Sequence, residues 1–536
     1  TIVKEEVESA SYANVNNGSL VAIDPQTGQV LAMVGSKDYF ADSEPEGCTS
    51  GITGENSCVF EPNLNVTLVK RQPGSSIKPI TYAAMLAQGY TAAFPILDVP
   101  TVFRGADAGR DYIPANYDGE FRGSMSVRKS LANSLNIPAV KAVTLVGVES
   151  MIATAQKLGI STFEEADRYG PAITLGGGET KLLEMTGAFA SLGAGGVYRA
   201  PTPLLEVRDA QGNVLYSYRD NGGEQAVSEE VAFIVSDILS DDGARSEVFG
   251  FGSLLNISGQ QVAVKTGTTD DKRDNYALGY TKEIAIGSWV GNNNNEQMGA
   301  VASGISGATP IWRRSMLEAL KDKEPNRFDP PDTVKKFEVD RLTGGLPYED
   351  FDTRTEWLIV GTEPTSVSNW YQRLEICKED GKLTNDDCKD ADDTKTRTFI
   401  GIQAALYEWQ MDVDAWIAEN FDGDDKYFPP LMKSQLEYDG DDVKKDDPAI
   451  EIVALDDGQD VPRHFRLKAE VSTARDIDRV KIYLDGEKVS EDKSHPYGYN
   501  FELSGSQVGE HEFKVVVEDE KGNEDDDKIK LNVVGF

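Results

Sequence analysis

In the stretch RQPGSSIKPI, residues 71–80, Ser75 and Lys78 stand three residues apart. A serine hydroxyl becomes a useful nucleophile only when a base lies within hydrogen-bond reach. Histidine is the commonest such base, but this chain has only three, His464, His495 and His511, all in its last quarter. A catalytic body built from the preceding residues therefore contains no Ser-His-Asp triad, and Lys78 becomes the base to consider. Residues three apart on a helix share a face, so a Ser75 in a first turn sets Lys78 beside its hydroxyl. Gly74 permits a sharp backbone turn there, and a helix N-terminus offers free N–H groups to a developing oxyanion. Pro79 is tolerated in a first turn, where its missing N–H would have no partner. The spacing alone is not selective. Ser126–Lys129 and Ser490–Lys493 repeat it, and a helix cap by Ser75 or Ser76 accounts for the decapeptide taken alone.

Two further groups carry the same kind of chemistry. Ser134-Leu135-Asn136, within NSLNIPAV, puts a hydroxyl and an amide on one loop, suited to passing a proton and holding a carbonyl; a plain turn is the alternative. In Lys265-Thr266-Gly267-Thr268, the strand Val262–Val264 runs into a cation, two hydroxyls and a glycine. Gly267 lets a substrate backbone approach, as in strand addition at a sheet edge. Thr266 and Thr268 can hydrogen-bond a carboxylate, with Lys265 supplying positive charge. An edge strand with a charged end is the alternative.

The elements that must position these residues follow from the pattern. Residues 19–35, SLVAIDPQTGQVLAMVG, read as a hairpin, and Pro79–Gln88 as a helix with the serine in its first turn. Residues 126–157 have helical apolar spacing, with breaks expected at Asn136–Pro138 and Gly147. TLGGGETKLLEMTGAFASLGAGG (174–196) is a glycine-rich turn entering a helix that stops at Gly195-Gly196, and it matches no phosphate loop. QVAVKTGT, YALGYT and IAIGSWVG (within 261–292) read as strands. Together these predict an α/β (α+β) body, an antiparallel sheet beside helices. Beyond about residue 340 the chain turns polar and acidic, with an amphipathic helical patch near Ile402–Ile417 and a charged linker over 438–451. FRLKAEV, RVKIYL, EFKVVVED and KIKLNVV then predict an immunoglobulin-like all-β sandwich.

The net charge of −37 speaks against nucleic acid and anionic lipid as partners. It is uneven, with −23 falling in residues 341–536, and reads as a solvated acidic surface. No run of about 18 apolar residues is present, so the reading is a soluble fragment whose upstream part, including any membrane anchor, is missing. Cys48 and Cys58 bracket one short loop and Cys377 and Cys388 another, neither with metal or redox C-x-x-C spacing. Two local disulfides are expected, and with them an oxidising, extracytoplasmic compartment, free buried thiols being the alternative. No metal and no cofactor is expected. The clusters NDDCKDADD and DGDD lack a full calcium loop.

S-x-x-K, S-x-N and K-T-G in this order recur in serine β-lactamases and penicillin-binding proteins. With GSLVAIDPQTGQVLAMVG, RQPGSSIKPITYAAML, SLNIPAV, LGGGETKLLEMTGAFASL, KTGTTDDKRDNYALGYT and GTEPT, residues 15–365 resemble the transpeptidase domain of class A penicillin-binding proteins. The resemblance implies a β-lactamase-like, penicillin-recognising fold for residues 1–365, followed by an acidic accessory region (366–447) and the β-sandwich (448–536). It implies D,D-transpeptidation of peptidoglycan stem peptides ending in D-Ala-D-Ala, with acylation by β-lactam antibiotics. Ser75 would be the nucleophile and Lys78 its base, assisted by Ser134 and Lys265. The N–H groups of Ser75 and Thr268 would form the oxyanion hole. Asn136 would orient the substrate amide, and Thr266 and Thr268 would bind the terminal carboxylate beside Gly267. The family's glycosyltransferase domain and membrane anchor would lie upstream, and cell-wall assembly proteins are further expected partners. A D,D-carboxypeptidase and a β-lactam-sensing, non-catalytic binding protein are the alternatives; a β-lactamase would need a water-activating base that no motif here supplies.

Overall fold

The computed structural model describes residues 1–107, 109–219, 221–299, 306–325, 327–440, 442–445 and 447–534. The chain divides into two compact units, Thr1–Asp98 with Ala115–Thr365, and Val99–Pro114 with Ser366–Phe536.

The first unit is built on a five-stranded sheet of β1 (Asn17–Ile23), β2 (Val30–Val34), β3 (Ala263–Thr268), β4 (Asp274–Tyr280) and β5 (Ala285–Gly291), in spatial order β3-β4-β5-β1-β2. All pairings are antiparallel, with Leu20 opposite Val34, Leu20 opposite Ser288, and Lys265 opposite Leu278. Successive side chains along a strand leave opposite faces, and here both faces are covered. Val21, Ile23, Leu278, Tyr280 and Trp289 join a core with the helices α2 (Lys78–Ala87), α4 (Asn136–Val146), α6 (Leu182–Gly193) and α7 (Glu229–Ser240). Leu20, Ala22, Val264, Ala277 and Ile286 pack on the other side against α1 (Ile2–Ser9) and α8 (Thr309–Ala319), where Ile311 and Trp312 are fully buried. Strand β3 is an edge of this sheet.

Two breaks in the helical region position the site. Helix α3 (Val127–Ala132) stops before Ser134, which is left-handed with φ +60°. The Ser134 N–H bonds Leu131 O at 3.1 Å and the Leu135 N–H bonds Ser130 O at 3.1 Å, a Schellman closure. The break therefore lies at 133–135 and not at the expected Asn136–Pro138. Asn136 and Pro138 are already in the first turn of α4, where proline costs no hydrogen bond. The break at Gly147 stands, with α5 (Val148–Lys157) following it. Across the helical layer, Arg128 on α3 grips Glu356 of the strand Thr353–Ile359 with two nitrogens (2.9 and 2.7 Å) and also bonds Asp237 at 2.6 Å.

The second unit holds the β-sandwich. One sheet comprises β6 (Ala449–Val453), β8 (His464–Ser472) and β11 (Gly498–Glu502). The other runs β7 (Asp460–Pro462), β13 (Glu524–Val534), β12 (Gly509–Asp519), β9 (Ile477–Leu484), β10 (Glu487–Asp492). Phe465, Phe501 and Phe513 meet at its centre with ring centroids 4.9–5.3 Å apart. The expected helical patch is shorter than Ile402–Ile417 suggested. The helix is Gln410–Asn420, because the Gln410 side chain bonds Ile402 O and Ala404 N and holds that stretch as a loop. The charged linker carries a short strand pair, Glu437–Asp439 with Asp442–Lys445, and its end is already β6; Asp441 and Asp446 lie outside the described residues.

Both cysteine pairs are disulfides, Cys48–Cys58 (Cα–Cα 5.1 Å) and Cys377–Cys388 (5.9 Å). Among the described residues no single helix is long and apolar enough to cross a membrane, and no group of three or more His, Cys, Asp or Glu is disposed to hold a metal.

Candidate active site

Ser75 sits in a short 3₁₀ turn, Gly74–Ile77, that runs directly into α2, so Lys78 opens the helix and Pro79 follows it. This turn lies against the edge strand β3 almost backbone to backbone. A methyl group at Gly267 would fall 2.2 Å from Pro73 O, and one at Gly74 (φ +53°) would fall 2.6 Å from Thr268 O. Only glycine at both positions lets the serine turn and the K-T-G strand touch.

The Ser134 turn closes the site. Lys78, wholly buried, directs its ammonium to Ser134 O (2.6 Å), Leu135 O (3.1 Å) and Asn136 Oδ1 (2.7 Å). Lys265 Nζ donates to Ser134 Oγ at 2.7 Å and to Thr266 O at 2.9 Å. Ser134 thus touches both lysines, one through its carbonyl and one through its hydroxyl. The left-handed backbone that makes this double contact possible costs an L-residue about 1–2 kcal/mol. Asn136 Nδ2 donates to Ala115 O at 2.7 Å. On β3, Lys265 and Gly267 share one face, while Thr266 and Thr268 lie on the other. Thr266 is buried, Thr268 is half-buried and accepts from Asn275 Nδ2 at 2.9 Å.

Two cations in one small buried space are costly unless they lose protons. Burial first, and the Lys265 charge second, hold the Lys78 ammonium well below the ordinary lysine value of 10.5, against the opposing pull of Asp98 and Asp270. Burial, with buried Arg245 adding like charge, brings Lys265 down to about 7. Between about pH 7 and 10.5 an unfolded chain takes up a proton on this lysine that the folded chain does not, so its burial penalty shrinks as pH rises through that window and is fully present below it. A Lys265→Met variant should therefore gain on the parent in thermal stability towards pH 7 and lose that relative gain towards pH 10. Paired melting curves across that range check this, and a difference that does not change with pH would contradict it.

The two repeats of the S-x-x-K spacing serve structure. Ser126 Oγ caps α3 by accepting from the Lys129 N–H, and Lys129 pairs with Glu247; Ser490 lies within strand β10. Four polar groups that the sequence reading passed over surround the site: Asp98, Asn116, Arg245 and Arg71. Arg71 bonds Asn293 O at 2.8 Å and approaches Asp274 at 3.5 Å, tying the chain just before the serine turn to the end of the sheet. Asp98, Asn116 and Arg71 bear on the site through contacts distant in sequence, and Arg245 through its charge on Lys265, so no local spacing marks them.

A nucleophile-bearing turn packed on a sheet edge, with lysines in place of histidine, is the architecture of active-site-serine acyltransferases. The sequence profile of the penicillin-binding protein transpeptidase domain matches residues 18–310, and that of a bacterial Ig domain matches residues 448–515. The chain belongs to the penicillin-binding protein transpeptidase domain family. It is 31% identical over 376 residues to penicillin-binding protein 2D of Bacillus subtilis, covering 67% of this chain and 50% of that protein. It is 30% identical over 348 residues to penicillin-binding protein 1A of Rickettsia bellii, covering 62% of this chain and 41% of that one. The chain thus spans half or less of the length of these relatives. Among solved structures, penicillin-binding protein 1A of Haemophilus influenzae aligns with a TM-score of 0.55 at 25% identity, over 66% of this chain and 54% of that one.

Proposed function

We propose that the chain is a serine D,D-transpeptidase of the class A kind, cross-linking peptidoglycan stem peptides through a Ser75 acyl-enzyme. The observation that carries the reading is the Ser134 turn holding Lys78 on one side and Lys265 on the other, next to the turn that bears Ser75. In the first half-reaction Ser75 Oγ attacks the carbonyl between the two terminal D-alanines and its proton passes to neutral Lys78. The oxyanion is held by the Ser75 and Thr268 N–H groups. When the tetrahedral centre collapses, the terminal D-alanine leaves as an amine, taking up the proton that Lys78 accepted, passed on with the help of Ser134 and Lys265, so that Lys78 is neutral again. An amine of a second stem then attacks the acyl-enzyme and gives a proton to neutral Lys78; the amide cross-link forms as the ester bond to Ser75 breaks, and Lys78 returns the proton to Ser75 Oγ. Thr266 and Thr268 bind the terminal carboxylate in the field of Lys265. Asn136 orients the substrate amide, for which it retains one lone pair on Oδ1 and one N–H on Nδ2 beyond the contacts above.

We assign residues 1–365 to the transpeptidase domain, 366–447 to an accessory region and 448–536 to the Ig-like module. On the class A reading, an anchor and a glycosyltransferase domain would lie upstream in the full-length protein. Two disulfides fit an extracytoplasmic compartment.

The test is incubation with a penicillin followed by intact-mass measurement and peptide mapping. One adduct lasting hours, on the peptide containing Ser75, is the expected result. No adduct would overturn the reading, and rapid loss with drug hydrolysis would replace it by a β-lactamase. A mixture of donor and acceptor stem peptides then separates cross-linking from simple release of D-alanine, the mark of a carboxypeptidase.

A further inference from the structure

Asp98 ends the strand Pro95–Asp98 and is fully buried. Its Oδ1 accepts from Asn116 Nδ2 at 2.7 Å, and its Oδ2 accepts from the Arg122 N–H at 3.2 Å. Asn116 Nδ2 also donates to Glu120 O at 2.8 Å, so the side chain is fixed at its nitrogen end. Its Oδ1 then accepts from the backbone N–H of Asn136 at 2.8 Å and faces that of Ile137 at 3.5 Å, supplying from a distant loop the cap that α4 does not provide for itself. The neighbouring Ala115 O takes the Asn136 side chain at 2.7 Å, whose other end receives Lys78. A chain of hydrogen bonds therefore runs from a buried carboxylate through Asn116 and Asn136 to the Lys78 amine.

Resting on the acyl-transfer reading above, we propose that Asp98 is a positioning residue of the reaction, acting through Asn116 and Asn136 to fix the turn that receives Lys78. Its geometric role is to hold the 115–122 loop so that Asn116 and Ala115 grip both the backbone and the amide of Asn136. Its second role is electrostatic. Burial pushes the Asp98 carboxyl up to about 6, with Asn116 and Arg122 opposing, so at pH 7 it is mostly an anion. As an anion it favours the charged form of Lys78, partly offsetting burial and Lys265. The other charges that bear on this pair are Asp270 on the Lys78 side and Arg122 and Lys141 on the Asp98 side, while Arg245 acts on Lys265.

The experiment compares the parent with Asp98→Asn and Asn116→Ala, measuring the second-order rate of acylation by a fluorescent penicillin from pH 5 to 9, with a melting curve for each. Asp98→Asn removes the charge and should move the acidic limb of the rate profile to lower pH, because Lys78 then loses its proton more readily. Asn116→Ala keeps the charge and breaks the link, so it should lower the plateau about 10- to 100-fold with the limb unmoved. Variants that melt earlier but acylate with the parent's rate and profile would make Asp98 merely structural and overturn the inference. If Asp98→Asn does not fold, Asn116→Ala decides alone, and a parent-like plateau in it overturns the inference equally. A parent that takes up no penicillin would overturn the acyl-transfer reading itself, and this inference with it.

Discussion

A Ser75→Ala variant should take up no penicillin, and a Lys78→Met variant should take it up about 10²–10⁴-fold more slowly than the parent, the usual worth of a positioned base. Methionine fills nearly the same volume as lysine and suits a fully buried site, so packing around α2 is kept. The substitution strips the donor from Ser134 O, Leu135 O and Asn136 Oδ1. It also removes a charge that burial and Lys265 both oppose. These effects on stability have opposite signs, whereas the effect on acylation has one. In the structure all three donors of a charged Lys78 are taken up by those acceptors. Loss of a proton leaves two donors and creates a lone pair, which is the state able to receive the Ser75 proton. Stopped-flow acylation measures this directly. A Lys78→Met protein that acylates at the parent rate would mean that another group takes the proton.

What was legible from the sequence was whatever depends on residue type over short stretches. The strands β1 to β5 announce themselves by apolar runs, since both faces of the sheet are covered and each strand is buried throughout except β2 and the end of β3. The sandwich strands alternate, because each has one wet face. S-x-x-K, S-x-N and K-T-G stand out because serine, lysine and glycine are each required for a local reason. In the structure Lys78 meets the Ser134 turn and Asn136, and Lys265 meets the Ser134 hydroxyl. The two cysteine pairs were visible as short loops.

The remainder depended on contacts far apart in the chain. The break before α4 is set by a serine in a conformation that usually selects glycine, and the sequence offers a proline four residues later as a more obvious stop. The sequence pattern does not mark the hairpin Val334–Asp340 with Thr353–Ile359, nor that of Tyr371–Cys377 with Thr394–Ile400. Each exposes charged residues such as Lys335, Lys336, Lys395 and Arg373, so neither presents an apolar run. Asp98 and Asn116 are 18 residues apart, and Asn116 is 20 from Asn136. Their importance comes entirely from the loop that folds Asn116 back onto the start of α4. A single buried Asp or Asn carries no sign of that in the sequence.

Gly267→Ala should lower acylation by about 10²-fold or more, while costing folding stability about 1–3 kcal/mol, the range for an extra methyl forced into a packed region. The new carbon would lie 2.2 Å from Pro73 O and 2.9 Å from Ser76 N, both main-chain atoms of the serine turn. Neither can swing aside as a side chain can, so the strand and the turn must separate by a substantial part of an ångström. That separation acts on every distance the reaction needs. It moves the Thr268 N–H relative to the Ser75 N–H, and it draws Lys265 from Ser134 Oγ, now at 2.7 Å. Stability is lost only locally, because the sheet is held from behind by two separate cores. Gly505→Ala, whose methyl would meet only Arg463 Nη1 at 3.7 Å, serves as the control for loss of glycine itself. Melting curves and acylation rates on both variants decide the matter. If Gly267→Ala keeps the parent's acylation rate, contact between the serine turn and the K-T-G strand is not what sets the geometry of the site.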